Sequence, residues 1–150
     1  MSESGAIYSH DKLRMYVYPP SSKRIYFTLL EGVEHIERGV FLGCIYVEVI
    51  TIPDGSIKSI GENAFRGCFN LQQITLPSSI KSIGLGAFTN CPILQCGGII
   101  QNSTKSFIDI IKISGLDLKS QLYCSRFSCK RNSIYSPDIP ISYYIVFILM

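Results

Sequence analysis

The chain has 150 residues, 47% of them hydrophobic and only 17% charged, with a formal net charge of +3. That is enough apolar material for a core and excludes global disorder. The small, scattered charge argues against a nucleic-acid partner, which needs a concentrated basic face. Two histidines leave little for a histidine-based metal or acid–base site, and no cofactor is expected.

In chain order, Met1-Ser2-Glu3-Ser4-Gly5 shows no basic stretch followed by an apolar run, so no secretory leader is expected. Residues 1–25 read as a lead-in and cap segment. Within it, Leu13-Arg14-Met15-Tyr16-Val17-Tyr18 is a candidate first strand, aligned with residues 71–76 through Leu13, Tyr16 and Tyr18.

An internal repeat follows. Residues 50–73 read ITIPDGSIKSIGENAFRGCFNLQQ and residues 74–96 read ITLPSSIKSIGLGAFTNCPILQC. One extra residue near Asp54-Gly55 brings the two into register. Residues 27–49, FTLLEGVEHIERGVFLGCIYVEV, keep the same apolar phases. Phe41, Phe65 and Phe88 align at spacings of 24 and 23, as do Cys44, Cys68 and Cys91. Ile36, Ile60 and Ile83 form another column, then Val33, Ile57 and Ile80, then Val47, Leu71 and Leu94. Val40, Ala64 and Ala87 give a column of small residues beside the phenylalanines.

A unit this short cannot enclose a core alone, but stacked units share one. The columns therefore predict a solenoid over residues 26–100, of about three coils, with Ile, Phe, Cys and Leu turned inward. Ile50-Thr51-Ile52 and Ile74-Thr75-Leu76 alternate in and out as short strands, ended by Pro53 and Pro77. A second extended piece fits 57–60 and 80–83. The Ala-Phe pairs within 62–68 and 85–91 suit single helical or 3₁₀ turns. Gly43, Gly67 and Asn90 share a column that suits left-handed backbone.

The repeat fails at Gly97-Gly98, although Ile99 still fits its column. Residues 103–114 then read as a helix, with Phe107, Ile110, Ile111 and Ser114 on one face and Gly115 as the stop. A helical C-terminal cap is expected over 101–121. Residues 122–150 form an apolar tail, with a loop at 125–136. Its run 139–150 is broken by Pro140 and Ser142, whereas a spanning helix needs about 20 residues. A terminal strand or sticky tail and an atypical membrane anchor both stay open.

The column cysteines read as small buried hydrophobes. Bridges between coils are the alternative, disfavoured because laddered side chains run parallel instead of facing each other. Cys96, Cys124 and Cys129 form no CxxC pair and have no histidine nearby, so a zinc site is not supported. His10 and His35 read as solvated, Asp54-Gly55 as a turn, and Lys130-Arg131 with Arg126 as a solvated basic cluster. Asn102-Ser103-Thr104 is a sequon of the kind that arises by chance. No Ser/His/Asp or Cys/His constellation is present, so no enzyme is expected.

The string I-P-x-S-I-x-S-I-G-x-x-A-F-x-x-C-x-x-L resembles the BspA-like leucine-rich repeat family, cell-surface and secreted proteins of bacteria and protozoan parasites. The resemblance spans roughly residues 13–100. It implies a curved solenoid with no catalytic residues and a protein-binding role. Some members are linked to adhesion to host matrix or cells. It also implies surface display, for which the sequence offers neither a leader nor a convincing anchor.

The outward rows are the candidate binding face. Thr28, Thr51 and Thr75 stack beside Glu48, Gln72 and Gln95, with Lys58 and Lys81 on the next edge. The same rows also fit ordinary solubilising residues. Two function classes follow: a protein-binding module whose partner is a host protein, a matrix protein or another copy, or a short structural repeat fragment with no binding activity of its own.

Overall fold

The computed structural model describes residues 4–77, 79–97 and 113–115. Nine short strands occur in that part: β1 (Ile7–Tyr8), β2 (Arg14–Val17), β3 (Tyr26–Thr28), β4 (His35–Ile36), β5 (Val49–Thr51), β6 (Ser59–Ile60), β7 (Gln73–Thr75), β8 (Ser82–Ile83) and β9 (Gln95–Gly97). They form two sheets, ordered β1-β2-β4-β6-β8 and β3-β5-β7-β9. All pairs are parallel except β1 with β2. Each coil thus lends one strand to each sheet, as a stacked repeat must.

The inward columns form one core. Phe41, Phe65, Ala64, Cys68, Leu71 and Ile57 are fully buried, and Ile36, Ile60 and Ile83 nearly so. The phenylalanine column is a continuous ring stack, with centroids 5.0 Å apart for Phe41–Phe65 and 5.1 Å for Phe65–Phe88. Tyr18 extends it, stacked 4.9 Å from Phe41, and Phe27 packs edge-on against both.

Tyr18 is therefore a rung of the aromatic ladder and not part of a strand matching residues 71–76. The expected alignment of 13–18 is corrected: β2 pairs with β4, placing Met15 opposite Ile36. Met15 is buried, whereas Leu13 and Tyr16 are exposed. The local order of this coil is the reason. Met15 and Tyr18 are three apart, where Ile36 and Phe41 are five apart, so matching by sequence alone places the segment in the wrong sheet.

The turns holding the Ala-Phe pairs are not helical. Some of their N–H groups close local turns, as in Leu42 to the Gly39 carbonyl and Cys44 to the Phe41 carbonyl. The alternate N–H groups of Gly39, Phe41 and Gly43 donate instead to the carbonyls of Glu62, Ala64 and Arg66 in the next coil. Asn63, Phe65 and Gly67 repeat this toward Leu85, Ala87 and Thr89. A helix would keep those N–H groups for itself. The alternation is made possible by two left-handed columns: Gly43, Gly67 and Asn90, as expected, and also Gly39, Asn63 and Gly86.

Gly61 and Gly84 have a different role. A Cβ on Gly84 would lie 2.4 Å from the Glu62 nitrogen, and one on Gly61 would lie 2.6 Å from the Arg38 nitrogen. The coils approach backbone to backbone at this corner, and only glycine fits.

Two expectations at the far end change or fall outside view. The main ladder does not fail at Gly97: Ile74 pairs with Cys96 and Thr75 with Gly97. A register shortened by one residue lets the strand continue. Of the helix expected over 103–114, only Ile113 and Ser114 are described, so the helix lies outside the described residues. Here the Gly86 and Phe88 N–H groups donate to the Ile113 and Ser114 carbonyls. That segment takes the place a further coil would occupy. The sequon, the 122–150 tail, Cys124 and Cys129 also lie outside the described residues.

Candidate binding surface

Strands β3, β5 and β7 position the outward threonine row. Alternation sends Phe27, Ile50 and Ile74 into the core and turns the next residue out. Thr28 pairs directly with Thr51, and Thr75 follows one coil on. Thr28 and Thr51 are exposed and Thr75 is half-buried. Beside them, Gln72 Nε2 donates to Glu48 Oε2 at 3.1 Å. Gln95 is not in that column, because the shortened register sets it opposite Gln73.

Lys58 and Lys81 stand elsewhere. Each precedes a strand of the other sheet, β6 or β8, so the eight candidate residues are divided between two faces. Lys58 Nζ is 2.6 Å from Glu34 Oε1. The hydrogen bond from Lys58 holds the Glu34 carboxyl below its usual range. The neighbouring row is also knit together: His35 Nδ1 and Ser59 Oγ are 2.7 Å apart. His35 is thus half-buried and partnered, a correction to its reading as solvated; His10 is exposed.

The cysteine column offers no reactive site. Cys44, Cys68 and Cys91 are buried and free. The Cys68 and Cys91 thiols donate to the carbonyls of Phe41 and Phe65 in the preceding coil, each at 3.1 Å. Burial pushes the thiol pKa up, to about 12 for Cys44 and about 11 for Cys91, with Cys68 moved the same way. Among the described residues no group of His, Cys, Asp or Glu is placed to hold a metal ion. No helix among them is long and apolar enough to cross a membrane.

Sequence reasoning missed an apolar row on the turns that lead into β5, β7 and β9. Ile45, Tyr46, Phe69 and Ile93 are between 40% and 52% exposed. They closely follow the buried cysteines, a position where a solubilising residue would be the default. In the sequence alone, the apolar character of these turns cannot be told from that of the core.

These features fit one family. The model of the BspA type leucine-rich repeat region, six copies, matches residues 11–123. The chain belongs to the BspA-type leucine-rich repeat family. Two solved structures agree with this BspA-type assignment. The T. pallidum leucine-rich repeat protein is 27% identical, with a TM-score of 0.53, over 65% of this chain and 47% of its own. A leucine-rich cell surface protein from Faecalibacterium prausnitzii A2-165 is 26% identical, with a TM-score of 0.50, over 61% of this chain and 27% of its own. The chain spans less than half the length of either. No curated protein matches it.

Proposed function

We propose that the chain is a non-catalytic module that binds another protein through the outward face of β3, β5 and β7, in an adhesion-like role at a cell surface. The observation that carries this reading is the flat repeated row of Thr28, Thr51 and Thr75, with Glu48 and Gln72 alongside. Stacked repeats present such rows as an extended surface. Threonines alone supply little binding energy, since aromatic anchors usually dominate an interface. Tyr46 and Phe69, on the turns just before β5 and β7, supply the missing apolar contact. The F. prausnitzii neighbour is a cell surface protein, which supports the proposed setting.

The partner is a host protein, a matrix protein or a second copy. Pull-downs of the chain against matrix and host-cell proteins test the reading. Thr51→Arg should abolish capture without moving the thermal melt. Lys58→Glu with Lys81→Glu probes the second face separately, and loss there alone would move the site to that sheet. A folded chain that captures nothing leaves the structural-fragment reading in its place.

A further inference from the structure

The three turns that lead into β5, β7 and β9 share one composition. Residues 44–47 read CIYV, residues 68–71 read CFNL and residues 91–94 read CPIL, with no charged residue in any of them. Their cysteines, Val47, Leu71 and Leu94 are buried, while Ile45, Tyr46, Phe69 and Ile93 stay between 40% and 52% exposed. Asn70 is engaged in the stack itself, because its Nδ2 donates to the Ile45 carbonyl at 2.7 Å. On the sheet side the row is bounded by the Glu48–Gln72 pair. The row also has a direction. By strand register the coil of β3 holds Lys23 and Arg24 where the next coil holds Tyr46 and Val47. The apolar row stops there and runs toward β9.

Residues 113–115 lie against the coil at that same end, where the Gly86 and Phe88 N–H groups donate to the Ile113 and Ser114 carbonyls. Residue 139 follows residue 115 by 24 positions, which allows up to roughly 80 Å of chain. The row spans three coils, about 10 Å along the axis, so it is well within reach. The run 139–150, IPISYYIVFILM, is as free of charge as the row itself. It lies outside the described residues.

We propose that the run 139–150 docks on Ile45, Tyr46, Phe69 and Ile93, so that the chain covers its own apolar turns until a protein partner displaces it. Apolar residues gathered on one surface mark an interaction site, unlike scattered ones. Removing apolar side chains of both the row and the run from water drives the contact. Neither side has to bury a charge, which would oppose it. A tethered run meets the row at an effective concentration on the order of millimolar, well above that of a second copy in dilute solution. The inference rests on the protein-binding reading above for the partner that displaces the run; the docking itself is tested apart from it.

The test is photo-crosslinking in the full chain, with Phe69→p-benzoylphenylalanine as the probe and Ile93→p-benzoylphenylalanine as a second. Both side chains are about half exposed, so neither change disturbs the core. Trypsin releases the run within 132–150, since no Lys or Arg follows Arg131, and mass spectrometry locates the link. Both probes should link to residues 139–150 within one chain. Thr51→p-benzoylphenylalanine, on the flat face, should link there at least about tenfold less. Val146→Asp with Ile148→Asp should lower the Phe69 link at least about tenfold, because two apolar side chains become charged. No link to 139–150 from either probe, or a link that the aspartates leave unchanged, overturns the proposal. A link found only in covalent dimers makes a second copy the occupant and overturns it. So does a link lost on adding phosphatidylcholine vesicles, which makes a bilayer the preferred surface of the run. Where pull-downs capture a protein, the two aspartates should raise capture severalfold, and unchanged capture overturns the displacement. A link without any captured protein leaves the docking in place and removes the protein-binding reading; captured protein without a link does the reverse.

Discussion

Phe65 and Phe88 are stacked, with ring centroids 5.1 Å apart and planes 3° from parallel. Isolated aromatic pairs prefer offset or edge-on arrangements. Here the strand spacing of about 4.8 Å sets the ring spacing, because each ring sits on its own coil at the same phase. The stack is a consequence of the repeat as much as a source of its stability.

Phe65 has a ring on both sides and is fully buried. Phe65→Ala should cost roughly 3–5 kcal/mol. Thr51→Ala, on the exposed face, should stay within about 0.5 kcal/mol. Thermal melts of the two variants make the comparison; similar shifts would contradict the ladder.

Gly84→Ala tests the close approach of the coils. Its Cβ would meet the Glu62 nitrogen at 2.4 Å and the Gly61 carbonyl carbon at 2.6 Å. These are backbone atoms that cannot turn aside, so the cost should be about 1–3 kcal/mol or more. Leu85→Ala next to it removes a side chain that is 68% exposed and should barely move the melt.

The buried thiols make stability depend on alkaline pH. Their pKa is raised from 9.0 to about 12 for Cys44 and about 11 for Cys91. Above pH 9 the unfolded chain loses these protons while the folded chain keeps them. The unfolded state then binds fewer protons, so stability falls as pH rises from about 9 toward 11. Denaturant melts across that range should show the decline; Cys44→Ala with Cys91→Ala should lessen it, and replacing Cys68 as well should flatten it. Alkylation at pH 8 should be slow in the folded chain and complete at all three column cysteines once it is unfolded.

The Glu34–Lys58 pair predicts a local titration effect. Lys58→Ala should raise the Glu34 pKa toward the ordinary carboxylate value, because the hydrogen bond that lowers it is lost. Carboxyl NMR titration reads this directly. Both side chains are substantially exposed to solvent, so the melt should change little.

Much of the core is legible in the sequence. Phe41, Phe65, Phe88, the three column cysteines and the paired isoleucines all take their inward places, since a side chain that recurs at one phase meets its own copy in the next coil. Proline at 53 and 77 marks the strand ends for an equally local reason. The binding face is less legible. Threonine alternation places Thr28, Thr51 and Thr75 together, but Lys58 and Lys81 belong to another sheet, and no local pattern reports the direction in which a coil bends.

The sequence by itself determined which residues point inward, because burial follows from side-chain chemistry repeated at a fixed period. Only the tertiary structure decided what the backbone does with those phases. It put Met15 opposite Ile36 and Tyr18 beneath Phe41, despite a spacing that breaks the period. It built the expected helical or 3₁₀ turns from isolated three-residue closures that alternate with inter-coil hydrogen bonds. It moved Gln95 opposite Gln73 and set β3 at the end of its sheet among the described residues. The pairings between coils join residues some twenty or more positions apart in sequence. Such partners are chosen when whole coils stack, so no local window of residues contains them.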